Sequence, residues 1–269
     1  MPELPEVETI KNELLPHVKG GRITDVEIMR PATVRGMAPE EFKGCLTGRQ
    51  IINVERHGKY LVFDLDNGGH LAMHLKLSGS LWVKKSESEV PNYIKAVITL
   101  DDGEKIFFRD PRGFGRMWLM RDLSDILSKL GPEPLSPDFT PEVLAERLDS
   151  KGAPIKSVLI DQAVIAGIGN MYADEILYDA KIDPRRAAFS LSLAETERIY
   201  KAIKRILPQA ITSKGASVQD YYRPSGEEGM AQFNFKVAHQ RKATCNCGGP
   251  IERIVVRGRG TYYCPNCQK

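Results

Sequence analysis

The hydrophobic period of this chain shifts from strand-like to helical near residue 122, and that change limits the fold more than any other feature. Before it, short runs alternate apolar and polar residues: RITDVEIM, QIINVERHGKYLVFDL, HLAMHLKLSGSLWVKK, YIKAVITL, EKIFFRD and GRMWLM. Turns such as DNGG and LDDGE divide them. Many short strands at this spacing predict a sandwich or a barrel. A helical pattern precedes them, with Val7, Ile10, Leu14 and Leu15 on one face of residues 3–15. LGPEPLSPDFTPE then suits neither a long helix nor a long strand and reads as a connection. Beyond it VLAERL, IKSVLIDQAVI, MYADEILYDA and LAETERIYKAIKRILPQAI all carry the helical period. A chain of 269 residues has room for two compact units. The fold class expected is therefore α+β, a helix and β-sandwich followed by a helical domain. The boundaries are read as 1–130, a linker at 131–150, helices at 151–234, and a final module at 235–269.

Composition excludes some classes. No run approaches 18 apolar residues, so no membrane helix is expected. Glu3, Glu6, Glu8, Lys11 and Glu13 interrupt the first twenty residues, which argues against a signal peptide and for a cytosolic protein. The net charge of +3 says little, but its distribution is uneven. Lys236, Arg241, Lys242, Arg253, Arg257, Arg259 and Lys269 face a single acid, Glu252, in the last 34 residues. A basic tail on a near-neutral body is a footprint of nucleic-acid binding, and equally of a solubilising tail.

Four of the five cysteines lie in that tail. Cys245 and Cys247, then Cys264 and Cys267, flank a strand–turn–strand pattern, IERIVV to TYY. In a cytosolic chain two such pairs predict one structural zinc held by four thiolates, with a metal-free hairpin as the alternative. The first pair is C-x-C rather than C-x-x-C, which narrows the angle between its sulfurs. Cys45 stands alone and reads as a small core residue.

Arg259 lies between Gly258 and Gly260 at the tip of that pattern, suited to a phosphate or simply to a turn. In AGIGNMYADEIL, Gly167 and Gly169 permit a tight approach, and Asn170 is expected to cap the following helix, whose amides could bind an anion or merely turn a corner. In FRDPRGFGRMW, Arg112 and Phe114 share a turn; Phe114 is either a core residue or a wedge for a base stack, and Leu77 has the same ambiguity. Lys59 reads as a solvated strand lysine. SKGASVQDYYRPSGEEGMAQFNF is a long polar loop, functional or disordered. The start, MPELPEVE, is an ordinary helix beginning or something more specific. With Met1 removed, Pro2 would present a secondary amine, and a terminal α-amino group titrates at about 7.7–8.0, so part of it is nucleophilic at neutral pH. Glu3 would stand beside it as an acid, and Glu6 one turn on.

Together these stretches resemble the bacterial formamidopyrimidine-DNA glycosylases, which repair 8-oxoguanine. The resemblance rests on MPELPEVE, HGKYL, DPRGFG, LGPEPL, GIGNMYADE and the terminal GRGT and CPNCQ, in order over essentially the whole chain. It implies a helix–two-turns–helix domain and a β-hairpin zinc finger after the sandwich. It implies excision of oxidised purines from duplex DNA, followed by cleavage of the abasic site through a Schiff base on Pro2. Glu3 should protonate the opening sugar, Glu6 should place the lesion, and Lys59 and Arg259 should assist the eliminations and hold phosphate. Leu77, Arg112 and Phe114 take the wedge positions; Tyr93, Lys151, Lys156 and Asn170 fall on DNA-contacting ones, and residues 216–222 should close over the flipped base. The partner implied is damaged double-stranded DNA, with a monomeric, nucleoid-associated bacterial enzyme and no membrane.

The chain departs from the family pattern at Leu77 (commonly Met), Gly113 (commonly a second Arg), Tyr93 (commonly His) and in VAHQR before the cysteines. Three other readings share parts of the pattern. They are an oxidised-pyrimidine glycosylase of the endonuclease VIII type, a non-catalytic damage sensor, and a plain zinc-ribbon binding protein. The last leaves the N-terminal match unexplained.

Overall fold

The computed structural model describes residues 1–85, 90–241 and 243–269, so Lys242 of the basic tail lies outside the described residues. The chain forms two compact units, Met1–Ser128 with Ser213–Gln232, and Lys129–Thr212 with Phe233–Lys269.

The first unit opens with α1 (Leu4–Val18) and continues β1 (Ile23–Ile28), β2 (Val34–Arg35), α2 (Pro39–Leu46), β3 (Ile51–His57), β4 (Tyr60–Leu65), β5 (His70–His74), β6 (Ser80–Lys85), β7 (Ile94–Leu100), β8 (Glu104–Arg109), β9 (Arg116–Met120) and α3 (Ser124–Leu127). The alternating runs of the sequence became single strands or, for residues 50–65, the β3–β4 hairpin, except that HLAMHLKLSGSLWVKK split into β5 and β6, which join different sheets. The strands make two sheets, in the orders β1-β7-β8-β6 and β2-β9-β5-β4-β3. Pairing is antiparallel except between β2 and β9. Val7, Ile10, Leu14 and Val18 of α1 are fully or almost fully buried in one core with Phe63, Leu71, Leu81 and Phe108 from the two sheets. A buried leucine of this kind contributes roughly 1.5–3 kcal/mol, so Leu14→Ala should destabilise the unit by about 2–5 kcal/mol. Cys45, expected in the core, is exposed on α2; Phe42 and Leu46 occupy that helix's buried face instead.

The second unit contains α4 (Pro141–Leu148), α5 (Ile155–Leu159), α6 (Asn170–Ala180), α7 (Leu193–Thr212), β10 (Glu252–Val256) and β11 (Arg259–Tyr263). Nearly every residue of α6 is buried, making it the central helix. On α7 the buried positions Thr196, Ile199, Ala202, Ile203, Leu207 and Ala210 recur at three- and four-residue steps, the pattern of a half-buried helix. LGPEPLSPDF has no helix or strand, yet Phe139 in it is fully buried and Gly131 N donates to Gln162 O at 2.8 Å. This stretch is packed into the second unit rather than hanging between two.

Candidate active site and DNA-binding surface

The N-terminal turn is held by a carboxylate. Glu6, fully buried, accepts a hydrogen bond from Glu3 N at 2.8 Å through one oxygen and from Ala216 N at 2.8 Å through the other. The first bond is half of a capping box, which explains a Glu three residues beyond the helix start. The second draws in a segment 210 residues away. Glu3 is buried as well, and so is Pro2. Met1 borders an open cleft of about 430 Å³, lined also by Arg35, Lys76, Leu77, Phe114, Arg116 and Trp118.

Leu77 and Phe114 are not core residues: they are 37% and 50% exposed. The loop that carries Phe114 is fixed by Asp110, which is buried. Ser78 Oγ donates to one of its oxygens at 2.5 Å and Gly115 N to the other at 2.7 Å, while Arg112 N donates to Ser78 Oγ at 3.1 Å. Gly113 has a φ of +68°, where a side chain is strained, and the Arg30 guanidinium fills the place that a Cβ would take. The loop is pinned at Gly113 despite lacking a second arginine. Arg112 is exposed, with Nε 3.5 Å from Asp220 and Nη2 donating to Gln219 at 3.5 Å.

Segment 213–232 packs on the sandwich rather than with the helices around α7. Tyr221 is buried in the sandwich core. Tyr222 stacks edge-on against Trp82 at 5.8 Å, and the Arg109 guanidinium lies 5.4 Å from its ring. Arg223 forks onto Glu13 at 2.9–3.1 Å, and Val83 N donates to Pro224 O at 2.9 Å. The sequence reading missed this docking; the pair Tyr221–Tyr222 inside a polar stretch is the signal that points to it.

Lys59 is only 6% exposed, in the two-residue turn joining β3 to β4, not on a solvated strand. Beside it lies His74, which the sequence reading missed: an imidazole in an alternating strand carries no local signature. Burial, and then Lys76 and Lys59, push its titration down to about 3, so it is neutral. Lys76 N donates to its Nδ1 at 3.0 Å, which leaves the ring proton on Nε2. Tyr93 is 59% exposed, with φ +66°, and its ring lies 5.7 Å from the Arg109 guanidinium.

In the second unit Asn170 is the first residue of α6, and Gly169 is the cap. The Asn170 side chain instead donates to Gly260 O at 3.0 Å. Lys156, expected at a phosphate, is 1% exposed and spent inside the protein. Its ammonium meets Asp174 at 2.7 Å, Thr261 Oγ1 at 2.8 Å and Gly260 O at 3.0 Å. Asp174 also accepts from Tyr262 N at 3.0 Å. Two α6 side chains and Lys156 thus fasten the first three residues after Arg259. Arg257 and Gly258, both at positive φ, make a two-residue turn of the hairpin type. Arg259 therefore begins β11 and is exposed, rather than sitting at the tip. Lys151 is exposed after α4.

The four tail cysteines converge. Their sulfurs all lie within 4.8 Å of one another, with Cys245–Cys267 and Cys247–Cys264 at 3.6 Å. A tetrahedral zinc with Zn–S bonds of about 2.3 Å holds its sulfurs roughly 3.8 Å apart. The C-x-C spacing thus reaches the geometry that zinc needs. Gly249 N donates to Cys247 Sγ at 3.4 Å and Tyr178 Oη lies 3.2 Å from Cys245 Sγ, so two thiolates have outer partners.

Family models match three parts of the chain. They are the formamidopyrimidine-DNA glycosylase N-terminal domain over residues 1–117, the formamidopyrimidine-DNA glycosylase H2TH domain over 130–221, and a zinc finger found in FPG and IleRS over 246–269. The chain belongs to the formamidopyrimidine-DNA glycosylase family. The family's protein from Symbiobacterium thermophilum is 42% identical, over all of this chain and 89% of its own length. That from Chloroflexus aurantiacus is 40% identical over all of this chain and 98% of its own. A solved Lactococcus lactis Fpg bound to DNA with an abasic site superimposes with a TM-score of 0.93 at 32% identity, covering 99% of both chains. The Thermus thermophilus MutM (FPG) protein gives 0.90 at 38%, covering 99% of this chain and 98% of its own. The family fold carries one structural zinc, for which Cys245, Cys247, Cys264 and Cys267 are the fitting ligands. No helix among the described residues is long and apolar enough to cross a membrane.

Proposed function

We propose that this chain removes oxidised purines, 8-oxoguanine and formamidopyrimidines, from duplex DNA and then cleaves the abasic site as a lyase, with Pro2 as the nucleophile. The observation that carries this is the arrangement of the N-terminus. Met1 opens onto a cleft shared with the exposed Leu77 and Phe114, while Glu3 and Glu6 are buried directly behind Pro2.

A base inside the stack is out of reach, so the nucleotide is extruded while Leu77, Arg112 and Phe114 fill the gap. Once Met1 is absent, the secondary amine of Pro2 attacks the sugar C1′. Glu3 supplies a proton to the ring oxygen, the ring opens and the base leaves, and an iminium joins Pro2 to C1′. Two successive eliminations then release the 3′ and 5′ phosphates. Lys59 and Arg259 serve these steps, and hydrolysis of the iminium frees Pro2. Glu6 holds the closing segment at Ala216 over the extruded base. Tyr93, Lys151 and Asn170 each contact DNA, and Lys156 acts through the hairpin it holds. Cys245, Cys247, Cys264 and Cys267 would hold the zinc, which would close a hairpin too small to fold on its own core and so support Arg259. The enzyme acts as a monomer in the bacterial cytoplasm, on the nucleoid.

Borohydride reduction tests this directly. Protein mixed with a duplex carrying 8-oxoguanine opposite cytosine should yield a covalent adduct that peptide mapping places on Pro2. Intact DNA binding with Met1 gone and no adduct would exclude this lesion; an adduct only with oxidised pyrimidines would shift the substrate class.

A further inference from the structure

The cleft beside the N-terminus carries cations that the proposed chemistry leaves without a task. Arg116 opens β9, and its Nη1 donates to Gly113 O at 3.1 Å and Gly115 O at 2.7 Å. Arg35 on β2 neighbours it, because β2 and β9 pair in parallel with Arg35 opposite Trp118. Arg30 lies over Gly113, filling the place of a side chain there. Lys76 comes from the turn after β5 and lines the same cleft as Arg35 and Arg116.

These groups repel one another. Burial, then Arg35 and Arg30, pull the Arg116 titration down, and Asp110 offsets only part of this. Burial and Arg116 do the same to Lys76. Asp110 is already bonded to Ser78 and Gly115. Clustered like charge without a counter-ion is unfavourable, and an anion entering the cluster reverses that cost. Guanidinium forks match phosphate oxygens. The other walls of the cleft, Leu77, Phe114 and Trp118, are apolar, which suits the base or sugar beside such a phosphate.

We propose that Arg35, Lys76 and Arg116, with Arg30 behind them, form a binding site for one backbone phosphate of the DNA duplex, next to the bases that Leu77 and Phe114 separate. This rests on the glycosylase reading above. In a chain whose Gly113 carries no cation, Arg30, from the connection after β1, and Arg116, from β9, place that charge around the loop.

The test is the salt dependence of binding to a duplex with a stable abasic-site analogue. Each neutralised phosphate contributes a slope of about 0.9 in log K against log salt. The Arg35→Met/Arg116→Met double variant should show a slope smaller in magnitude by about 0.9, the share of one phosphate, while the double Arg→Lys variant keeps nearly the wild-type slope. Arg116→Met could disturb the loop, so Arg35→Met alone, at an exposed residue, should lower the slope in the same direction. A single methylphosphonate near the lesion should weaken the wild type and leave the double variant unaffected. If wild type forms the borohydride adduct but the variants keep its full slope, this site is wrong and the glycosylase reading stands. If wild type neither traps nor binds, the glycosylase reading itself fails. Inorganic phosphate raising the melting temperature of wild type alone, with no change of slope, would make this a pocket for a free anion and overturn the DNA assignment.

Discussion

Glu6 accepts a hydrogen bond from the backbone of Ala216, 2.8 Å away and 210 residues along the chain. The same carboxylate holds Glu3 N, so the helix start and the long polar segment share one buried anion. Glu6→Gln keeps the size but replaces one acceptor oxygen by a donor facing an N–H. Losing that bond costs about 1–3 kcal/mol locally. Amide exchange at Ala216 should accelerate about tenfold or more, and excision should slow more than DNA binding weakens. Unchanged exchange at Ala216 would show that the bond does not hold the segment.

Gly229 is the second closure of that segment. A Cβ there would run into the carbonyl oxygens of Lys214 and Gly215, which are backbone and cannot swing aside. Gly229 N also donates to Ser217 Oγ at 2.8 Å. Gly229→Ala should destabilise the first unit by about 1–3 kcal/mol and open residues 214–229 to protease, with the strands of the sandwich still protected. Equal protection in variant and wild type counts against this.

The Lys156–Asp174 pair should behave as a buried ion pair. Lys156→Met leaves the buried Asp174 carboxylate without its cation, and breaking such a pair typically costs about 3–5 kcal/mol. Lys156→Met/Asp174→Asn removes both charges and should recover much of the loss. The single variant should also loosen the hairpin at Gly260, seen as weaker DNA affinity at unchanged zinc content. Additive losses in the double variant would mean that the two residues act independently.

His74 sets an acid limit. Its titration lies near 3, against 6.5 ordinarily, chiefly from burial. A lowered folded value means that the stability gained by keeping the ring neutral is present above about 6.5 and is lost as pH falls towards 3. Wild type should therefore lose more stability than His74→Gln between pH 7 and pH 4 in urea unfolding. The imidazole resonance of His74 should show no protonation step above pH 4; a step near pH 6 contradicts the neutral assignment.

Removing zinc should act on the hairpin first. Chelation, or Cys247→Ser, should release one zinc per chain and expose residues 243–269 to cleavage, and DNA affinity should drop at least tenfold as Arg259 loses its support. Full affinity in zinc-free protein would separate the metal from DNA binding.

Periodicity located each strand run and the long helices because a half-buried element must repeat its apolar residues at its own geometric period. Turn residues placed the hairpins for the same local reason. The cysteine reading also came from spacing, and only the narrow C-x-C pair needed the fold to bring its sulfurs into a tetrahedral set. Individual side chains were less legible. Lys156 and Asn170 read as phosphate contact and helix cap, yet both bind Gly260. Cys45 read as core and faces solvent.

The sequence by itself determined the two textures of the chain, its hairpins, its family and its set of candidate chemical groups. Those follow from local geometry and from motifs read in order. Tertiary structure alone decided what each charged group faces. It put segment 213–232 against Glu6 and Glu13, buried Lys156 beside Asp174, and gathered Arg30, Arg35 and Arg116 from three places in the chain. The reason is physical: an ionic group's role depends on distance and burial, and neither is encoded in the spacing of its neighbours along the chain.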